Sequence, residues 1–165
     1  MKKPVPLTPV ARRFIEDVGN TTQSFGMGRV VGQLYAYLYL SSEPRSLADM
    51  QDALGISKGS ASMGVRQLEQ WTAARKIWVK GDRKDYYEAT DNFGRIIKNA
   101  IRDVVGNRLA AYTSFFDDLE GELQKSPPDG NDDRQFVRQR IEAVHQYYEQ
   151  ARNMWDTPMF QKLLQ

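Results

Sequence analysis

A chain of 165 residues is long enough for one domain with an extension, and its 41% hydrophobic content can bury a core, which excludes global disorder. The formal net charge of +2 is too mild to mark a nucleic-acid partner by itself, so any basic footprint must be local. The absence of cysteine excludes disulfides and thiolate metal sites, and the single histidine, His145, has no second imidazole with which to share a metal. No apolar run approaches the roughly 20 residues of a membrane span. The opening Met1-Lys2-Lys3-Pro4-Val5-Pro6 lacks the apolar stretch of a signal peptide. The expectation is a cytoplasmic protein without membrane contact.

The predicted elements are helical at both ends with a short mixed block between. Thr8-Pro9 reads as an N-cap followed by proline at the first helical position. Val10, Phe14 and Val18 then recur every fourth residue and predict one apolar helix face. Gly26, Gly28 and Gly32 loosen the junction to a second helix carrying Val30, Val31, Leu34, Tyr35, Leu38 and Tyr39, which stops near Ser41-Ser42-Glu43-Pro44. The 26–32 stretch resembles a dinucleotide-binding loop only loosely, with the wrong spacing and no preceding strand.

Ser46 opens a short helix with Leu47, Met50, Ala53 and Leu54 at helical spacing, and Gly55 ends it as a left-handed C-cap. Ser57 reads as the N-cap of the next helix, which runs to about Trp71. Lys76 to Lys80 and Tyr86 to Ala89 read as two short strands, with Gly81 to Asp85 as the polar turn of a hairpin. Asp91 is the expected cap of a long helix. Its apolar stripe runs through Phe93, Ile96, Ile97, Ala100, Ile101, Val104, Val105, Leu109, Tyr112, Phe116, Leu119 and Leu123. A stripe that persistent packs on another chain or on a long partner helix. Paired prolines in Ser126 to Asp133 predict a loop, and a last helical block carries Phe136, Val137, Ile141, Val144, Tyr148, Ala151 and Trp155. Pro158 interrupts it before Met159 to Leu164.

Two short helices joined through a glycine turn and followed by a hairpin make a winged helix-turn-helix. The B-DNA major groove admits one α-helix, and the second helix of the motif is the one presented to it. Ile56, Ala61, Val65 and Leu68 form the expected buried side of that helix. Ser57, Lys58, Gly59, Ser60, Ser62, Met63, Arg66 and Gln67 are the candidate DNA contacts. Gly59 and Gly64 each cost about 1 kcal/mol of helix stability relative to alanine, a cost that close backbone approach to a groove would explain. From Arg66 to Lys84 there are six cations and two anions, a net +4 that leaves the rest of the chain at −2. Basic charge thus sits on the helix end and the hairpin, with Lys80, Arg83 and Lys84 as candidate wing contacts. Taken without the preceding motif, residues 80–85 read equally well as a solvated turn.

The run Gly55 to Trp71, the hairpin Lys76 to Ala89, and the preceding Gly28 to Tyr35 and Leu40 to Pro44 resemble the GbsR branch of the MarR transcriptional regulators. The resemblance covers residues 8–100. It implies a homodimer held by N- and C-terminal helices, with two winged motifs on a near-palindromic double-stranded operator, and repression modulated by a small-molecule effector. It also implies a link to uptake or synthesis of compatible solutes and to choline-like compounds. Tyr35, Tyr39, Tyr112, Phe116, Tyr148 and Trp155 are the candidate effector pocket, since aromatic faces can cage a cation. The plainer reading of these rings is core packing. The chain departs from the family pattern after the second helix of the motif, where Thr72-Ala73-Ala74-Arg75 replaces a Gly-Leu turn, and at Gly64, where a bulkier polar residue is usual.

The expected fold is mainly α with a small β-hairpin wing: a winged helix-turn-helix with N- and C-terminal helical dimerisation extensions. The expected parts are an N-terminal arm (1–27), the DNA-binding domain (28–91) and a C-terminal dimerisation and effector region (92–165). The expected function is a dimeric repressor of an operon. The alternative is a winged-helix architectural or protein-interaction module without an effector. No triad, phosphate loop or metal motif supports an enzyme, and no cofactor is expected. Asp117-Asp118-Glu120-Glu122 reads as a solvated face rather than a metal site, and His145 beside Tyr147 and Tyr148 as a surface or half-buried histidine.

Overall fold

A computed structural model describes residues 7–125 and 132–163. Residues 1–6, most of the predicted loop at 126–133, and Leu164 lie outside the described residues. The chain divides into two compact units, Met1–Ala100 and Ile101–Gln165.

In the first unit, α1 (Pro9–Ser24) begins as the sequence predicts: Thr8 is extended and its hydroxyl accepts a hydrogen bond from the Ala11 amide at 3.2 Å, with Pro9 following. Within this unit α1 buries a face other than the apolar one its periodicity marks. Ile15 and Gly19 are buried against α2 (Arg29–Tyr39), whereas Val10 and Phe14 are exposed. Val18 is half-buried, so it is the Val10–Phe14 end of the apolar stripe that this unit leaves open.

The centre of the core is α2, with Leu34, Ala36, Tyr37 and Leu38 all buried. Next come β1 (Arg45–Ser46), α3 (Leu47–Leu54), α4 (Lys58–Gln70), β2 (Ala74–Ile77) and β3 (Tyr86–Ala89). Ser46 serves twice. It pairs with Tyr86 in the sheet, and with Asp49 it forms a reciprocal capping box at the start of α3. Gly55 ends α3 at φ 65°, a left-handed conformation that allows the sharp turn into α4. Among the described residues the strands form one antiparallel sheet in the order β1-β3-β2. The sequence missed β1, and the first hairpin strand begins two residues earlier than predicted and ends at Ile77. The second strand is as predicted.

Ala61, Val65 and Leu68 of α4 are buried, as expected. Gly64 is buried too, which corrects the outward, groove-facing place assigned to it. A Cβ at that position would collide with the Leu34 side chain, so glycine lets α4 lie close on α2. After α4 the chain turns through Thr72, a β-branched residue at φ 57° where glycine would be at ease. Neighbours hold it there. Asn99 Nδ2 donates to Trp71 O and to Thr72 Oγ1, each at 3.1 Å, and the Thr90 hydroxyl donates to Thr72 O at 2.6 Å. The long helix α5 (Phe93–Lys125) is capped by Asn92 rather than Asp91: Asn92 Oδ1 accepts from the Arg95 amide at 3.1 Å.

In the second unit, α5 beyond Ala100 lies antiparallel to α6 (Asp132–Trp155). Tyr112 stacks on Tyr148 with centroids 4.7 Å apart, Phe116 stacks on His145 at 5.1 Å, and Arg138 Nη2 donates to Leu123 O at 2.7 Å. After a turn, α7 (Pro158–Leu163) follows with proline at its first position. Ile101, Phe115, Phe136, Val137, Val144 and Tyr147 remain exposed in this unit.

Replacing Gly64 by valine forces two methyl groups into the α2–α4 contact. Overpacking of this kind costs about 1–3 kcal/mol, so the urea midpoint should fall with an unchanged slope. An unaltered midpoint would show that the contact is not tight.

Candidate nucleic-acid interface

With one side of α4 seated on α2, the opposite side is fixed outward. Ser57 is extended and caps the helix. Its hydroxyl accepts from the Ser60 amide at 3.1 Å and pairs with the Ser60 hydroxyl at 2.9 Å. Those two serines are therefore engaged in holding the helix start. Lys58, Gly59, Met63 and Arg66 are exposed, while Ser62 and Gln67 are half-buried. Gln67 Nε2 donates to Gln70 Oε1 at 3.1 Å. The outward surface is thus slim near its start and carries one apolar side chain and two cations.

The wing is the connection between β2 and β3. Lys80, Arg83 and Lys84 are exposed on it. The basic footprint is narrower than the count of cations implies. Arg75 pairs with Glu88, its Nε 2.6 Å from Oε1, and Lys76 pairs with Asp85 at 2.7 Å. Among the described residues no ion pair engages Lys58, Arg66, Lys80, Arg83 or Lys84. The cations matched by carboxylates lie at the sheet, and those left for an external anion lie on α4 and the wing.

Asp82 organises the wing turn. Its carboxylate accepts from the Lys84 amide at 3.0 Å and from the Tyr86 hydroxyl at 2.8 Å. The Lys84 amide first, and the Tyr86 hydroxyl second, hold the carboxyl below its ordinary range. The same hydrogen bond, followed by burial, pushes the Tyr86 hydroxyl up to about 12. Sequence reasoning did not single out Asp82, although its place one residue past Gly81 in a charged turn is a turn signal. It also passed over Trp78, which is 79% exposed beside the wing cations.

The six candidate effector aromatics fall into separate clusters, one set in each unit. In the first, Tyr35 stacks on Tyr39 at 5.9 Å, Phe93 meets Tyr39 edge-on at 5.5 Å, and the Tyr35 hydroxyl donates to Thr90 O at 2.9 Å. Burial, then the neighbouring Tyr39 and Asp91, raise the Tyr35 hydroxyl to about 12. In the second, Tyr112, Phe116 and Tyr148 pack with His145, and Trp155 packs on Phe160 at 5.3 Å. Phe116 and His145 also line a cavity of about 190 Å³ together with Glu120, Arg138 and Glu142. Among the described residues no group of three or more acidic or histidine side chains is placed to hold a metal ion, and no helix is long and apolar enough to cross a membrane.

No family model matches the chain. Among curated relatives, it is 33% identical over 91 residues to the HTH-type transcriptional regulator YvaV of Bacillus subtilis, covering 53% of this chain and 51% of the relative. It is 27% identical over 111 residues to the HTH-type transcriptional repressor GbsR of the same organism, covering 67% of this chain and 61% of the relative. The repressor OpcR, also from B. subtilis, is 31% identical over 80 residues, covering 48% and 43% respectively. The chain spans about half the length of these relatives. One crystal structure of a transcriptional regulator shares the fold, with a TM-score of 0.52 at 23% identity over 89% of this chain and 98% of that one. The fold is the winged helix-turn-helix it shares with that structure, and the relatives it resembles are named HTH-type transcriptional regulators and repressors. Within that class the similarity runs to GbsR and to its fellow B. subtilis regulators.

The Asp82–Tyr86 bond sets a pH window for wing order. A lowered carboxylate contributes above its unfolded value, about 3.9, and that contribution is lost as pH falls through the lower folded value. The raised tyrosine contributes below its unfolded value of about 10 and loses that contribution as pH rises through about 12. In Tyr86→Phe the Asp82 carboxyl, followed by ¹³C NMR, should titrate higher, nearer the ordinary aspartate range. An unmoved titration would mean that the hydroxyl does not reach the carboxylate.

Proposed function

We propose that the chain is a dimeric DNA-binding repressor that seats α4 in the major groove and lays the wing along the flanking backbone. One observation carries this reading. The outward side of α4 and the wing belong to one compact unit, and together they present Lys58, Arg66, Lys80, Arg83 and Lys84, none of which makes an ion pair among the described residues, although the Asp82 carboxylate lies close enough to Lys84 to feel its charge. Arginine and lysine in such positions bind phosphates, and Arg66 has the reach and fork geometry to read guanine. The relatives' names, transcriptional regulator and transcriptional repressor, support the same assignment.

Dimerism is supported by apolar residues left exposed in each unit. Val10 is 79% exposed on α1, and Phe14 lies on the same face; Ile101 and Phe115 are exposed on α5. A twofold pair would bury such stripes and set two copies of α4 one helical turn of duplex apart. The finer reading is control of compatible-solute uptake or synthesis through a choline-like effector held within a single aromatic cluster, that of Tyr112, Phe116 and Tyr148 in the second unit, rather than by all six candidate rings together. It rests on the GbsR-branch resemblance and on the π faces that cluster supplies.

Titration with duplex DNA over a range of salt tests the function. The expected result is preference for a near-palindromic site, with a steep loss of affinity as salt rises. Equal affinity for every duplex would favour the architectural alternative, and no binding would overturn both readings. Replacing Arg83 and Lys84 together by alanine should weaken all duplexes alike and reduce the logarithmic salt slope by about one per cation removed. An unchanged slope would take the wing off the phosphates. Ile101→Asp combined with Val105→Asp should dissociate the dimer in sedimentation, because unpaired charges would enter an apolar seam. A surviving dimer would place the interface elsewhere.

A further inference from the structure

We propose that Gly59 and Met63 form a slot on the outward side of α4 that reads the C5-methyl group of thymine. This rests on the DNA-binding reading above and adds the base feature that the helix recognises.

The core leaves Met63 out. Ala61, Val65 and Leu68 are buried, whereas Met63 is 73% exposed near the middle of the same 13-residue helix. One exposed apolar side chain is ordinary by itself. What sets this one apart is the residue a turn before it. Gly59 lies in the same helix, and a Cβ there would meet nothing nearer than the Ser57 hydroxyl oxygen at 3.8 Å, an ordinary contact. Its backbone is not left-handed. Neither packing nor conformation within the chain requires glycine at 59, in contrast to 64, where Leu34 does. Gly59 is the second residue of α4, where glycine costs less than in a helix interior, yet nothing within the subunit asks for glycine there.

Side chains on a helix lean toward its N-terminus and over the preceding turn. The Met63 thioether therefore leans over the position that Gly59 leaves empty. The result is a polarisable, unbranched apolar wall beside a strip of uncovered backbone, in a surface otherwise made of lysine, serine and arginine. In the major groove the thymine methyl is the apolar feature of the base edges, and the remaining groups are hydrogen-bond donors and acceptors that a thioether serves poorly. Met63 and Arg66 are three residues apart, about 4.5 Å along the axis, against about 3.4 Å between stacked base pairs. The thymine then falls within about two base pairs of the pair facing Arg66.

The test begins with duplexes selected from a random library by the wild-type protein. Each thymine of the selected site is then replaced in turn by deoxyuridine, which lacks only the methyl. In each half-site one replacement should weaken wild-type binding about fourfold, the value of burying one such carbon. Met63→Leu should keep that sensitivity and Met63→Ala should lose it, with affinity for random duplex unchanged in both. Gly59→Ala should melt at or above the wild-type temperature yet lose the discrimination. A selected, specifically bound site with no uracil-sensitive position overturns the proposal and leaves the regulator reading intact. So does sensitivity that persists in Met63→Ala or in Gly59→Ala. If no duplex is selected at all, the regulator reading itself fails, and this proposal with it.

Discussion

The contact between α2 and α4 governs what this molecule can present. A helix advances about 100° per residue, so fixing one side fixes every other. Ala61, Val65 and Leu68 supply buried area, and Gly64 lets the backbone approach Leu34. With that side committed inward, Lys58, Gly59, Met63 and Arg66 have no place but outward. Bulk added at 64 would alter more than stability, since a lifted or rotated α4 would offer a different set of side chains to the groove. The αL turn at Gly55 and the Ser57 cap fix where the helix begins, and so set the height of the exposed residues along it.

Electrostatics adds a second selection. The stretch from Arg66 to Lys84 is rich in cations, but the fold pairs those at the sheet with Glu88 and Asp85, while among the described residues those on α4 and the wing make no ion pair. Exposed ion pairs of this kind add little stability. Their larger effect is to confine positive potential to the surface that would meet phosphate. Asp82 is an anion in the middle of that basic turn. Its oxygens are taken by the Lys84 amide and the Tyr86 hydroxyl, so it shapes the wing.

Much of the fold was legible in the sequence because strong local signals agreed with tertiary packing. Thr8-Pro9, Ser46, Gly55 and Ser57 each mark a boundary by a backbone requirement, and each boundary is where they place it. What the sequence left open or missed also has physical causes. Strand β1 is two residues long, too short for any alternation to show, and its Ser46 was already accounted for as a cap. Val10 and Phe14 have helical periodicity, but periodicity reports an apolar face without saying what covers it. Gly64 and Gly59 look alike in sequence; only the position of Leu34 tells the packing glycine from the bare one. Thr72 opens the segment that replaces the Gly-Leu turn the resemblance expects, and its left-handed backbone is held by Asn99 and Thr90, which are remote in sequence. The candidate contacts were found by type and spacing, whereas the engagement of Ser57 and Ser60 with each other required coordinates.

The central claim is that the outward side of α4 and the wing form one DNA-facing surface. Amide hydrogen exchange, compared with and without a selected duplex, tests it most directly. The account predicts new protection confined within the first unit to residues 57–67 and 79–85, with the α1 and α2 amides unaffected at their buried contact. Bound duplex that leaves 57–67 unprotected while slowing exchange on other elements would contradict it.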